Sequence, residues 1–124
     1  MKRGPLPLLT TLTLAFLPAL MPAADAHAFL DYAVPAVGSS VLASPAQLKL
    51  WFTQRLEPAF STVQAVDRAG KRVDKGDGQV DRADATSLRV SLPPLAPGKY
   101  RVTWRVLSVD THVTEGDFTF DFAP

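Results

Sequence analysis

Through most of its length the chain alternates apolar and polar residues. In LKLWF, Leu48, Leu50 and Phe52 are set against Lys49 and Trp51. In TSLRVSL, Leu88, Val90 and Leu92 oppose Arg89 and Ser91. In KYRVTWRV, Tyr100, Val102, Trp104 and Val106 oppose Arg101, Thr103 and Arg105. In DFTFDF, Phe118, Phe120 and Phe122 oppose Asp117, Thr119 and Asp121. Successive side chains of an extended strand leave opposite faces, so this period of two predicts half-buried antiparallel strands. After residue 26 no stretch offers a capped helical period. Turn-forming clusters, PAVGSS, SPA, RAGK, KGDG and PPLAPG, separate the runs at short intervals. The pattern predicts an all-β domain of about seven short strands in a two-sheet, Greek-key sandwich of immunoglobulin-like type. Leu, Val and Phe line its inner faces, with Trp104 as the expected central plug and Tyr100 beside it. Each large side chain buried contributes about 1.5–3 kcal/mol, so a dozen can oppose the ordering entropy of such a domain.

The first 26 residues break the pattern. Lys2 and Arg3 precede an apolar run, Pro5 to Pro22, and AADA follows, with Ala24 and Ala26 at the small-residue positions of a cleavage site. This order predicts a secretory signal peptide over residues 1–26, removed after Ala26. An uncleaved membrane anchor fits less well, because the run is short for a span of about 20 residues and holds Pro7, Pro18 and Pro22. No second apolar segment of that length follows. What remains is one domain, residues 27–124, beginning at His27. The leader takes Lys2, Arg3 and Asp25 with it, leaving eleven basic against eleven acidic residues. That balance argues against nucleic acid as a partner. The chain has no cysteine, so thiol chemistry and zinc–thiolate sites are excluded, and the fold must be held by its core alone.

The chain has two histidines, His27 and His112. His112 lies in SVDTHVTEG, two residues after Asp110. If that segment is extended, both side chains leave one face, which suits a metal site or a carboxylate-oriented base; a solvated aspartate beside a surface histidine is the plainer alternative. His27 changes the balance. As a free N-terminus it offers two nitrogens, the α-amine and ring Nδ1, which close a six-membered chelate ring with a metal. With the His112 ring and the Asp110 carboxylate, the set becomes three nitrogens and one oxygen. Such donors favour Cu(II). Both methionines, Met1 and Met21, leave with the leader, so the mature chain has no soft ligand for Cu(I).

These residues stand in a longer match. HAFLDYAVPAVGSSVLASPAQLKLWF, FSTVQAVDRAGKRV and LPPLAPGKYRVTWRVLSVDTHVTEGDFTFDF together resemble the CopC family of periplasmic copper-binding proteins over nearly the whole mature chain. The resemblance implies a seven-stranded Greek-key β-barrel or sandwich that binds one Cu(II) ion through His27, Asp110 and His112. It implies a monomeric carrier or buffer in copper homeostasis or resistance, in the periplasm, with a CopD-type inner-membrane copper transporter as partner. Two departures stand out. Some members carry a glutamate near the site in an F-S-E setting, where this chain has Gln54, a poorer ligand. Glu57 lies three residues on, an odd offset that turns it to the other face of an extended segment. The Met-rich Cu(I) segment of some members is absent.

Other marked residues read as structure. Trp51 belongs either to the outer face or to the mouth of the metal site. Arg105 is expected in a surface ion pair worth about 0–1 kcal/mol. Gly38, Gly70, Gly98 and Gly116 are expected in turns or bulges. KGDG has too few oxygen ligands for a calcium loop. Two rival functions remain. An N-terminal-histidine copper oxidase of the polysaccharide-cleaving type needs a substrate face, which this short chain lacks, and an open coordination position, which Asp110 fills. A metal-free interaction module needs no histidine pair at all.

Overall fold

The computed structural model describes residues 4–5 and 27–124; the rest of the expected leader, with its cleavage site before His27, lies outside the described residues. Among the described residues no helix is long and apolar enough to cross a membrane. The strands are β1 (Leu30–Val34), β2 (Ser40–Val41), β3 (Gln47–Phe52), β4 (Thr62–Val66), β5 (Gln79–Val80), β6 (Ser87–Ser91), β7 (Gly98–Leu107) and β8 (Val113–Phe122), with one 3-10 turn at Pro58–Phe60. They form two four-stranded sheets, ordered β1-β3-β6-β5 and β2-β8-β7-β4. Among the described residues the strands number eight where about seven are expected, because β2 and β5, two residues each, carry no alternation to read.

Each alternating run supplies one strand and buries the face it predicted. Leu48 and Leu50 on β3 stand opposite Val90 and Leu88 on β6, and all four are buried. The β7–β8 ladder runs unbroken from Gly98↔Phe122 to Leu107↔Val113, about 31 Å at the usual rise per residue. Its inner face brings Val102, Val106 and Phe120 to the other sheet, all fully buried. Tyr100 stacks on Phe120, with ring centroids 5.6 Å apart, and its hydroxyl donates to the Ala96 carbonyl. On the outer face Arg101 pairs with Asp117. Arg105, expected in an ion pair, stands opposite Glu115 in register; among the described residues the cross-strand ion pair between β7 and β8 is Arg101–Asp117.

Trp104 is not the central plug. It is half-buried and packs against the edge of the core, edge-on to Phe52 at 5.1 Å and 75°; Phe120 holds the central place. The indole lies across the strand partner of Trp104, Gly116. A Cβ built on Gly116 would sit 2.3 Å from Trp104 Cζ2 and 2.8 Å from Cε2. Gly116 is therefore neither turn nor bulge; it is mid-strand and needed for space. The indole N–H is buried with no hydrogen-bond partner among the described residues, so packing over Gly116 holds the ring. Gly116→Ala should cost about 1–3 kcal/mol of stability, the usual price of overpacking. A thermal melt beside a tryptophan emission spectrum would detect it, and an unchanged melt would disprove the contact.

Asp74 ties the strand-poor segment after β4 to the sheet. It accepts from the Ala65 and Gly76 main-chain N–H groups at 2.9 Å each and from Arg72 Nε at 2.9 Å. Burial pushes its carboxyl up, but Arg72 and the two N–H groups outweigh that and hold it below the ordinary carboxylate value. A carboxyl depressed in the folded state contributes stability present above its unfolded value, about 3.9, and lost as pH falls through the folded one. Asp77, Asp81, Asp84 and Asp110 are depressed too. Asp74→Asn should therefore lower stability at neutral pH and flatten only part of the loss below pH 4, as denaturant melts at stepped pH would show.

Candidate metal centre

β7 and β8 are joined by Ser108–His112, and the shape of this connection decides where the D-x-H pair points. Ser108 N–H donates to the His112 carbonyl at 3.0 Å, and Thr111 N–H to the Ser108 carbonyl at 2.9 Å. Thr111 has φ +74°. This is a three-residue hairpin loop, a turn followed by one left-handed residue, the place where glycine usually sits. A β-branched threonine there stores about 1–3 kcal/mol of strain, held only because its surroundings over-determine it. The sequence reading tied the pair to an extended segment; the turn, not the pleat, brings the two side chains together. Asp110 Oδ1 lies 3.6 Å from His112 Nδ1.

Ser108 is the pivot of the loop and was not singled out from sequence. It is wholly buried. Its hydroxyl donates to Asp110 Oδ1 and lies 3.4 Å from the His112 main-chain nitrogen, whose N–H it accepts. One buried oxygen thus fixes the carboxylate and the backbone of the histidine. The chain before the 3-10 turn braces the loop: Val109 N–H donates to the Arg55 carbonyl at 3.0 Å and Glu57 N–H to the Leu107 carbonyl at 2.8 Å. The Ser108 hydroxyl foremost, and the His112 ring in support, hold the Asp110 carboxyl below the usual range against a smaller upward push from burial.

His27 comes from the other end of the chain, and its exposed ring rests on the same loop. The His27 and His112 centroids are 4.6 Å apart at an interplanar angle of 72°. The Phe29 ring centroid lies 6.0 Å from that of His27. The structure thus brings His27 to His112 and Asp110 to His112. Among the described residues, however, no group of three or more His, Asp or Glu side chains closes on one point that could hold an ion. The residues present fit Cu(II) in type, imidazole nitrogen and carboxylate oxygen.

The neighbours sort themselves. Trp51 lies on the outer face, stacked on Tyr32 at 4.3 Å and 9° with Lys49 Nζ 5.0 Å from its ring centre. Glu57 stands at the N-cap of the 3-10 turn, and among the described residues it belongs to no group of three or more His, Asp or Glu that could hold an ion. Gln54 follows Thr53 just beyond β3 and is half-buried.

A model of the CopC domain matches residues 30–123. Protein YobA of Escherichia coli strain K12 is 34% identical over 100 residues, which is 80% of this chain and 81% of YobA. Copper resistance protein C of Pseudomonas syringae pv. tomato is 34% identical over 103 residues, 78% of this chain and 81% of that protein. The crystal structure of CopC from Methylosinus trichosporium OB3b superposes with a TM-score of 0.71 at 39% identity, covering 79% of this chain and 95% of that one.

Proposed function

The chain belongs to the CopC family, and from that premise we propose that it is a periplasmic Cu(II) carrier whose site is completed by its own export. Copper binding is the family's role, and the family is one of copper carriers rather than enzymes. In the finer reading, signal peptidase removes residues 1–26 and frees the His27 amine. One Cu(II) ion is then held by that amine, the His27 and His112 rings and the Asp110 carboxylate. The protein acts as a monomer that buffers copper and passes it to a CopD-type inner-membrane transporter. The observation that carries this reading is the 4.6 Å approach of the His27 ring to the His112 ring. These are the two histidines of the chain, from opposite ends of the domain, and one of them is the residue that cleavage would expose.

The chemistry follows from the donors. The α-amine and ring of His27 bind as a chelate, so the second bond forms with little further loss of freedom. Asp110 adds negative charge that offsets part of the ion's. A set without sulfur holds Cu(II) in preference to Cu(I). Release can then follow reduction, or protonation of the amine, whose ordinary pKa is about 7.7–8.0. The test pairs N-terminal sequencing of the exported protein with an electron paramagnetic resonance spectrum of its Cu(II) form. A chain starting at His27, one copper per chain and three coupled nitrogens are expected. A different first residue, or fewer nitrogens, overturns the assignment.

A further inference from the structure

We propose that the N-terminal ligand is positioned before metal arrives, by a clamp of two threonine hydroxyls, Thr53 from one sheet and Thr114 from the other, closed on the tripeptide His27–Phe29. This rests on the copper reading above and concerns the same site. A chain terminus is ordinarily loose unless something ties it down. Here three observations tie it. Thr114 Oγ1 donates to the Ala28 carbonyl at 2.6 Å. On the other side Phe29 N–H donates to Thr53 Oγ1 at 3.0 Å, and Thr53 N–H returns to the Phe29 carbonyl at 2.9 Å. Thr53 Oγ1 also reaches the His27 carbonyl at 3.5 Å. Between the two threonines the Ala28 side chain is buried to 0% exposure, while His27 and Phe29 on either side of it are exposed.

The register of the clamp matches the site. Thr114, the second residue of β8, lies two residues beyond His112, the last residue of the loop. Ala28 lies one residue beyond His27. Holding the Ala28 carbonyl at Thr114 therefore sets His27 beside His112, where the rings meet. Thr53 stands just past the end of β3, so the tripeptide bridges the two sheets at their shared end, and its position is fixed by the sandwich rather than by a flexible tail. Ala28 acts as a key: its small side chain is wholly buried, so sliding or rotating the segment would expose apolar surface. The ordering of the terminus is thereby complete on folding and is not charged against metal binding. Thr53 and Thr114 are positioning residues; no contact of theirs with the metal is invoked.

The experiment uses the mature protein beginning at His27, with Thr114→Val and Thr53→Val, which keep shape and remove the hydroxyl, and Thr114→Ser, which restores it. Two quantities are read. Without copper, NMR cross-relaxation between the His27 and His112 ring protons reports their approach. With copper, a chelator competition gives the Cu(II) affinity. Thr114→Val should lose the ring contact and weaken Cu(II) by about 10–100-fold, the usual effect of removing a support behind a ligand, while Thr114→Ser keeps both. Thr53→Val should move both quantities the same way and serves should Thr114→Val not fold. Ring contact and affinity both unchanged in a folded valine variant would overturn the clamp. Should the wild-type chain itself fail to bind Cu(II), the copper reading falls, but the ring contact in metal-free protein still decides the clamp.

Discussion

A chain carrying one extra residue ahead of His27 should bind Cu(II) at least about 100-fold more weakly than the chain that begins at His27, beyond what loss of a supporting contact costs. The extra residue changes one atom in kind. The His27 nitrogen becomes an amide, its lone pair is delocalised into the carbonyl, and it can bind a metal only by losing a proton that an amide holds tightly. The chelate ring is lost and the site falls back on two imidazoles and one carboxylate. His27→Ala is the complementary change, keeping an α-amine and deleting the ring, and it too should cost at least as much. His27 is exposed, so neither change should alter metal-free stability by more than about 0.5 kcal/mol. That separation makes the result readable: equal affinity of extended and mature chains, each folded, rules out the terminal chelate. The pH profile adds a second signature. Protons compete for an amine of ordinary pKa about 7.7–8.0, so affinity of the mature chain should decline from pH 8 downward. An extended chain whose own first amine is acetylated lacks that step.

Much of the sandwich could be read from alternation because burial acts on alternate residues. Leu48, Leu50, Leu88, Val90, Val102 and Phe120 are all at or near zero exposure, and each stands where a period of two put it. The rule failed where side chains are not the cause. β2 and β5 are backbone pairings of two residues, too short to show a period. On β1, an edge strand, Tyr32 and Val34 are more than half exposed, so its faces do not sort by polarity. Trp104 alternates correctly yet misses the centre, because its ring lies over the neighbouring strand at Gly116, where a side chain would collide with it. Of the candidate site, the two histidines and the aspartate were legible by residue type. The means of joining them was not. A left-handed threonine at Thr111, a buried hydroxyl at Ser108 and a clamp linking Thr114 to Ala28 join residues by geometry and distance in the chain, and no local pattern announces them.

Phe120→Ala should unfold the domain easily while leaving the copper site nearly as it was. Phe120 is the largest fully buried side chain among the described residues, and removing a buried phenylalanine ring costs about 3–5 kcal/mol. The whole of a domain's stability is about 5–15 kcal/mol, so the melting temperature should fall on the order of 20 °C. The effect on the site is small for a reason of distance along the hairpin. Phe120 pairs with Tyr100, near the Gly98↔Phe122 end of the ladder, whereas the loop that carries Asp110 and His112 follows the last pair, Leu107↔Val113. Those pairs are about 24 Å apart at the strand rise, and close-packed side chains lie between. A cavity at Phe120 therefore changes how many molecules are folded, and the geometry of the loop in those that are folded stays as it was. Copper provides the check, because an ion that binds only the folded state adds stability set by its concentration over its dissociation constant, about 2.7 kcal/mol at a hundredfold excess. Wild type and variant should gain the same increment from the same free Cu(II), measured well below the variant's melt. A markedly smaller increment in Phe120→Ala would mean that the far end of the ladder governs the loop, and that the site depends on the strength of the whole sandwich, not on Ser108 and the threonine clamp beside it.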